Sequence, residues 1–321
     1  MTQAGTPTSA IAEDQLVITR TFDAPRSLVF DAWTDPQHLA RWWGAPKGST
    51  VRVAKFELVP GGLFVYALNM PQGGEIWGRF VYREIVAPER LVYVNSFSDP
   101  QGGVAANPWI PDWPLEILNT LTFEEHDGKT TLTLVGSPIG ATVVQMEAFR
   151  TMRQSMQGGF AGMFQQLDEF LQDAKREITA SRVVDAPRDL VFQAFTDPAH
   201  VTHWWGPNGF TLTLHEMDVR PGGNWRFIMH GPDGRNYDNH HVFVEVARPE
   251  RLVLDHVSEP RHQATWTLEE LDGGRTRVSV RMVFETPELR TFVAEQFKAV
   301  EGAQQTLGRL AEHVVTARAA G

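Results

Sequence analysis

The sequence predicts an α+β protein of two tandem domains, each a curved antiparallel sheet laid against a long C-terminal helix. Three observations lead there. A 22-residue block occurs twice, DAPRSLVFDAWTDPQHLARWWG at 23–44 and DAPRDLVFQAFTDPAHVTHWWG at 185–206, identical at 15 of 22 positions without a gap. Runs of period-two hydrophobicity follow each block, separated by Pro-Gly-Gly, Pro-Glu-Arg and Asp-Gly turns that favour antiparallel neighbours. Each copy then closes on a long segment with an apolar stripe at helical spacing. The expected division is a loose tail over residues 1–14, a first domain over 15–175 and a second over 176–321.

The repeated block reads as two short helices. Pro25 and Pro187 have φ near the helical value and lack only an N–H that a first turn leaves unpaired, so each can open a helix. Leu28, Val29, Ala32 and Trp33 recur at helical spacing, as do Leu190, Val191, Ala194 and Phe195. Asp35-Pro36 and Asp197-Pro198 each pair an N-cap with a favoured first residue, and Gly44 and Gly206 stop the second helix. Strands are expected at 16–22, 50–59, 63–70, 77–87, 91–97, 117–125 and 130–135 of the first copy. Residues 98–114 read as an irregular loop and 142–173 as the long helix, with Met156, Phe160, Met163, Leu167, Phe170 and Leu171 on one stripe. In the second copy strands are expected at 212–219, 224–230, 240–247 and 252–257, the long loop shrinks to SEPRHQ, and a hairpin turns at Asp272-Gly273-Gly274. Its single terminal helix puts Ala303, Thr306, Leu307, Leu310 and Val314 inward. The link between copies is so short that the domains are expected to pack as an intramolecular pseudo-dimer.

Composition bounds the function. At 321 residues, with 42% hydrophobic and 21% charged, the chain can build two cores of about 150 residues. The net charge of −10 divides evenly: 14 Lys+Arg against 19 Asp+Glu up to Arg176, then 15 against 20. That even acidity lacks the footprint of a nucleic-acid binder. The absence of cysteine excludes disulfides, thiolate ligands and cysteine nucleophiles, and is compatible with a cytoplasmic location. The first residues lack the pattern of a signal peptide, and no apolar run reaches membrane-spanning length.

Glycines interrupt both terminal helices: Gly158, Gly159 and Gly162, then Gly302 and Gly308. Each costs about 1 kcal/mol against alanine in a helix interior, so it has either a packing reason or a role in leaving room. Nine of the 11 histidines lie in the second copy. His200 and His203 have a spacing that can place two ligands on a metal, but three or four must converge, and no metal site is expected. His240 and His241, adjacent on a strand, point to opposite faces. Acids recur at matched places, Glu57 with Asp218 and Glu84 with Glu245. Glu84 or Glu245 would be the acid/base if it faced an apolar cavity; as a solvated strand-end acid it would have no chemical role. No nucleophile elbow, P-loop or dinucleotide fingerprint is present. The double tryptophans, Trp42-Trp43 and Trp204-Trp205, read either as core or as ligand contacts, with one indole of each pair expected inward and the other outward.

The segments DAPRSLVFDAWTDPQHLARWWG, VNSFSDPQGG, PDWPLEILNTLTFEEHDGKTTLTL and MRQSMQGGFAGMFQQLDEFL resemble the family named after the activator of heat-shock-protein-90 ATPase, in the START-like or SRPBCC superfamily. The second copy's DAPRDLVFQAFTDPAHVTHWWGPNGFTLT, VRPGGNWRFIMHGPDG and ARPERLV resemble it as closely. The resemblance implies a helix-grip fold with a cavity between sheet and long helix. That cavity would be lined by Trp42, Trp43, Trp77, Phe160 and Met163 in one copy and by Trp204, Trp205, Trp225, Phe227, His241 and Trp266 in the other. No cofactor is implied. Where a bulky aromatic commonly follows a single glycine in the terminal helix, the first copy has Gly159-Phe160 and the second Gly302-Ala303, which leaves the second pocket's size open. Non-catalytic binding of a small apolar or aromatic ligand, as carrier or sensor, is the expected function. The alternatives are a co-chaperone-like module with a chaperone partner, and a cyclase, lyase or hydrolase acting on a polyketide-like substrate.

Overall fold

The computed structural model describes residues 14–44 and 48–320. Of the expected tail over 1–14, only Asp14 lies among them. The chain divides into two compact units, one through Asp173 and one from Ala174. The first comprises β1 (Leu16–Phe22), α1 (Arg26–Thr34), α2 (Pro36–Trp42), β2 (Thr50–Phe56), β3 (Leu63–Asn69), β4 (Glu75–Val86), β5 (Arg90–Ser98), β6 (Val104–Ala105), β7 (Glu116–His126), β8 (Lys129–Ile139) and α3 (Val143–Ala174). The second repeats the order with β9 (Glu177–Val184), α4 (Arg188–Thr196), α5 (Pro198–Trp204), β10 (Thr211–Met217), β11 (Asn224–His230), β12 (Asn236–Ala247), β13 (Arg251–His256), β14 (His262–Leu271), β15 (Arg275–Phe284), α6 (Pro287–Gln296) and α7 (Ala299–Ala320).

Each unit has one antiparallel sheet, in the order β1-β8-β7-β5-β4-β3-β2 and β10-β11-β12-β13-β14-β15-β9, so the first strand of each copy pairs with its last. Bulges fall at matched places, between Tyr82 and Glu84 and between Phe243 and Glu245, with others between Val53 and Lys55 and between Leu214 and Glu216. A bulge bends its strand and raises the local twist, which curls each sheet about its helix. The Pro-Gly-Gly turns hold the bulged region. Gly61 and Gly222 have φ +81, and their N–H groups donate to Tyr82 O and Phe243 O at 2.8 and 2.7 Å. A Cβ at Gly62 or Gly223 would sit 2.2 or 2.0 Å from the carbonyl oxygen of Glu57 or Asp218. Gly223→Ala is therefore expected to lower the second domain's stability by about 1–3 kcal/mol, read as a shift in urea midpoint.

The second helix of each repeat starts as its sequence predicts: Asp35 accepts from Gln37 N–H at 2.7 Å and Asp197 from Ala199 N–H at 2.8 Å, with proline at the first helical position. Pro25 and Pro187 stand one residue earlier than expected. Both have extended ψ, 149° and 146°, and cap α1 and α4 from outside. The core of each unit lies between its sheet and the terminal helix, with Phe164, Leu167 and Leu171 buried in one and Leu307, Leu310 and Val314 in the other.

Three further expectations are corrected. Residues 98–114 contain β6, paired to β5. His262 and Gln263, read as loop, begin β14, because each has a backbone partner on β13. The terminal helix of the second copy is not single: it breaks at Phe297-Lys298, where Lys298 has φ +51. For the glycines, close packing is overturned in the first copy. A Cβ at Gly158, Gly159 or Gly162 would meet nothing within 4 Å, and α3 runs through them unbroken. Among the described residues no helix is long and apolar enough to cross a membrane.

Candidate functional site

The second domain holds a partly open cavity of about 510 Å³ between the inner face of its sheet and the broken terminal helix. Strand alternation brings the lining residues together. Antiparallel register sets Trp225 opposite His241, His241 opposite His256, His256 opposite His262 and His262 opposite Phe284. Directly opposed residues share a face, so these five form one row across β11 to β15 on the inner side. His241, His256 and His262 line the cavity from this row, while Trp266, Val280 and Met282 line it from the neighbouring positions. The loop after α5 supplies Gly206, Pro207 and Phe210, the helices supply Val293, Gly302, Ala303 and Thr306, and the break between them supplies Phe297 and Lys298. Exposed Asp238, Glu259, Gln296, Phe297 and Lys298 form the rim.

Matched contacts in the two copies align their terminal helices. Gln166 Nε2 donates to Gly44 O at 2.7 Å, and Arg309 Nη1 donates to Gly206 O at 2.9 Å. The His38 ring packs on Phe170 at 5.1 Å, and His200 on His313 at 5.2 Å. These pairs set Gln166 beside Arg309 and Phe170 beside His313. Counting back along the helix, Phe160 then corresponds to Ala303 and Met163 to Thr306. In the first domain Phe160 packs on Phe164 at 5.9 Å, within a cluster that includes Ile117, Phe149 and Trp113. In the second, a methyl group and a hydroxyethyl group replace the two large side chains and border the cavity. Arg309 also donates to Pro207 O at 2.9 Å and to His203 O at 3.1 Å, so one guanidinium holds the wall loop against α7.

The histidine row is a polar seam on an otherwise apolar wall. Pro260 O accepts from His256 Nδ1 and from His262 Nδ1, each at 3.0 Å. A carbonyl can only accept, so both rings carry their proton on Nδ1 and present a lone pair at Nε2. His256 Nε2 accepts from the Ser258 hydroxyl at 2.9 Å; were the ring protonated, Asn239 Oδ1 at 3.2 Å would accept from it. His241 is 5% exposed, its ring lies flat on Phe227 at 5.5 Å, and its Nδ1 makes no hydrogen bond among the described residues. Trp266 also lines the cavity and is 5% exposed, and its Nε1, buried like His241 Nδ1, has no hydrogen-bond partner among the described residues. Burial holds His241 well below the ordinary histidine value, with His256, His262 and His240 adding to the effect. His256 is lowered by burial against the opposing pull of the Pro260 carbonyl and Glu259. His262 is pushed down to about 4, by burial first and His256 second. All three rings are neutral at pH 7, and the histidine row carries no charge there.

The expected cavity residues fall into distinct groups. Trp205, His241 and Trp266 line the cavity. Trp204, Trp225 and Phe227 lie behind its wall in the core, at 0%, 1% and 1% exposure. Trp42 occupies the same place as Trp204: their indole N–H groups donate to Ala32 O at 2.8 Å and Ala194 O at 3.0 Å. The outward indole expected of each pair is absent. Trp43 packs on Trp33, Trp42, Tyr66 and Phe80, and Trp205 on Phe195, Trp204, Trp225 and Trp266. Trp77 stands on the outer face of β4 in one row with Ala67 and Arg52, whose guanidinium lies 5.0 Å from its ring. Phe160 is half-buried and Met163 buried on α3.

Glu84 and Glu245 border no part of this cavity. Each is exposed over more than a third of its side chain and ion-paired across its own turn, to Arg90 at 3.7 Å and Arg251 at 2.7 Å. Glu57 and Asp218 pair likewise with Lys55 and Arg220. His200 and His203 meet a third ring: His200 Nδ1 lies 2.9 Å from His313 Nε2, and His203 stacks on His313 at 5.8 Å. Among the described residues no three histidines or carboxylates have the geometry of a metal site.

Sequence reasoning missed His256, His262, Phe210, Met229, Met282 and the residues at the helix break. The histidines were reachable by parity: extending the inward positions Leu252 and Leu254 by two gives His256, and stepping back from Trp266 and Ala264 gives His262. The break carried no comparable signal.

A curved antiparallel sheet gripping a C-terminal helix, with a cavity between them, defines a helix-grip protein of the START-like, SRPBCC class. The chain belongs to the family of activator of Hsp90 ATPase homolog 1-like proteins, whose model matches residues 23–172 and again 185–315. No curated protein matches the chain. Among solved structures it is similar to protein NE0264 from Nitrosomonas europaea, at 26% identity and a TM-score of 0.43, over 46% of this chain and 99% of that one. It is similar to a protein from Staphylococcus epidermidis at 28% identity and a TM-score of 0.41, over 51% of this chain and 93% of that one. The di-domain ARO/CYC BexL from the BE-7585A biosynthetic pathway is similar over 94% of this chain and 98% of its own, at 15% identity and a TM-score of 0.38.

Proposed function

We propose that this chain binds small apolar or aromatic molecules without transforming them, and that the second domain's cavity is the enclosing site. The observation that carries the reading is the exchange of Phe160 and Met163 for Ala303 and Thr306, bordering a cavity of about 510 Å³ walled by Trp205, Trp266, Phe210 and Met282. Pockets of about 300–1,000 Å³ with aromatic walls and a few polar groups are the usual form of a small-molecule site. The position of Glu84 and Glu245, ion-paired and away from the cavity, supports binding over acid–base chemistry.

Native mass spectrometry of the intact chain, with solvent extraction of whatever travels with it, tests the reading. A discrete extra mass is expected, and Ala303→Phe, which restores the first domain's side chain, is expected to abolish it while leaving the fold intact. An adduct that survives Ala303→Phe would place the ligand elsewhere. A bare chain that stimulates the Hsp90 ATPase would replace the reading with a co-chaperone role.

A further inference from the structure

The terminal helix of the second domain is one residue short of its counterpart. Leu16, Phe149 and Phe160 belong to one apolar cluster in the first domain, and Ile178 packs with Val293 in the second. Ile178 follows Leu16 by the interval that separates the two repeated blocks, so Val293 stands where Phe149 stands. Phe160 follows Phe149 by eleven residues, whereas Ala303, the counterpart of Phe160, follows Val293 by ten. At about 100° per residue, eleven steps pass three turns by only about 20°, so one unbroken helix turns both phenylalanines to the same side. Ten steps fall about 80° short. Val293 and Ala303 are nevertheless both buried, at 6% and 9% exposure, and the chain meets that demand by breaking at Phe297-Lys298.

The break has the form of a joint. α6 closes with Phe297 N–H donating to Val293 O at 3.2 Å, and α7 opens with Gly302 N–H donating to Lys298 O at 2.8 Å. Among the described residues no backbone hydrogen bond links the two ladders, so rotation about Phe297 and Lys298 breaks neither. Of the ten residues of α6, Val293 alone is buried. Its other ties are the partly buried Leu289 and Arg290 Nε, which donates to Glu177 O at 3.0 Å. A helix that short is marginal by itself, and an element with so little burial opens at a lower free energy than the core. α7, in contrast, buries Leu307, Leu310 and Val314. The joint also belongs to the mouth of the cavity: Gln296, Phe297 and Lys298 share its exposed rim with Asp238 and Glu259.

We infer that α6 is a hinged lid on the second domain's cavity, turning about Phe297 and Lys298, and that a ligand enters and leaves beneath it. The first domain's unbroken α3 has no such joint. A lid that is closed most of the time scales entry and exit alike, so a change in its opening moves both rates and leaves the affinity where it was. This lid rests on the reading that the cavity holds a ligand.

Hydrogen exchange of the ligand-free full chain is the first measurement, and the amides of α6 are expected to be protected about a hundredfold less than those around Leu307 and Leu310. Stopped-flow binding of 1-naphthol, followed by tryptophan fluorescence at pH 7, then reads the effect on a ligand. Arg290 does not line the cavity, and Arg290→Met removes the bond to Glu177 O. The variant is expected to raise the association and dissociation rates together by about tenfold, with the affinity unchanged within about twofold. Inserting one alanine between Lys298 and Ala299 restores the first domain's interval and is expected to slow both rates; should that chain fail to fold, the wild type and Arg290→Met decide the question between them. Equal protection of α6 and α7 in the wild type would overturn the lid and leave the ligand cavity standing, as would rates that stay fixed in Arg290→Met. An affinity change carried by dissociation alone would overturn it too, because Arg290 would then be shaping the bound state. A chain that opens at α6 yet takes up no 1-naphthol would remove the cavity reading and the lid with it.

Discussion

Trp204→Ala is expected to destabilise the second domain by about 3–5 kcal/mol, the cost of truncating a large, fully buried aromatic side chain. Trp204 is 0% exposed, packs on Phe195 at 4.8 Å, and its indole N–H satisfies Ala194 O. Its neighbour in sequence should respond differently. Trp205 borders the cavity on one side, so part of its surface already lacks packed neighbours, and Trp205→Ala should cost less stability than Trp204→Ala. Ligand affinity should show the reverse order among variants that remain folded. Denaturant titration of both variants, with 1-naphthol binding measured on each, checks the pair. Equal destabilisation, or loss of binding in folded Trp204→Ala alone, would mean that the core and cavity roles have been assigned to the wrong indoles. Trp42→Ala should behave as Trp204→Ala does, because its burial and its hydrogen bond to Ala32 O are the same.

The second large effect is a loss of stability in the second domain as pH falls from 7 to 5. The folded domain holds His241, His256 and His262 below the ordinary histidine value, so over this range the unfolded chain binds more protons. The stability conferred by keeping the rings neutral is complete above about pH 6.5 and is lost as pH falls through the folded values, near 4 for His262. For that residue alone the shift is worth about 3 kcal/mol in full, of which about 2 kcal/mol is gone by pH 5. For a domain of this size that corresponds to about 6 °C in midpoint. Scanning calorimetry of the whole chain at the two pH values reads it, with the transition lowered by Trp204→Ala identifying the second domain. His262→Ile should reduce the pH dependence of that transition, leaving the part that His241 and His256 contribute. A transition that moves equally in wild type and variant would show that His262 is not held neutral by the fold.

Much of the architecture was legible in the sequence because it is locally coded. The twin helix starts follow from Asp-Pro pairs whose carboxylates reach the next backbone N–H. The strands follow from period-two runs between glycine and proline turns, and the tandem organisation from the repeated block itself. Local coding also misled. SEPRHQ looks like loop, yet His262 and Gln263 are strand, because a partner on β13 supplies the hydrogen bonds that the dipeptide's own propensity does not. Trp77, expected on the cavity wall from the family resemblance, is turned outward beside Arg52 by strand parity.

The sequence by itself determined that there are two helix-grip domains, that each terminal helix buries one stripe, and that His240 and His241 face opposite ways, since each depends on spacing along a few residues. Only the tertiary structure decided where a ligand has room and what it would meet there. His241, His256 and His262 become one row through the register of three strands. Ala303 and Thr306 border the cavity only through the packing of α7 against its sheet, at helix positions where the first domain carries Phe160 and Met163. The break at Lys298 arises in a segment whose periodicity is helical on both sides. These are long-range conditions, set by which strand pairs with which and by what fills the space between sheet and helix, and no window of the sequence contains them.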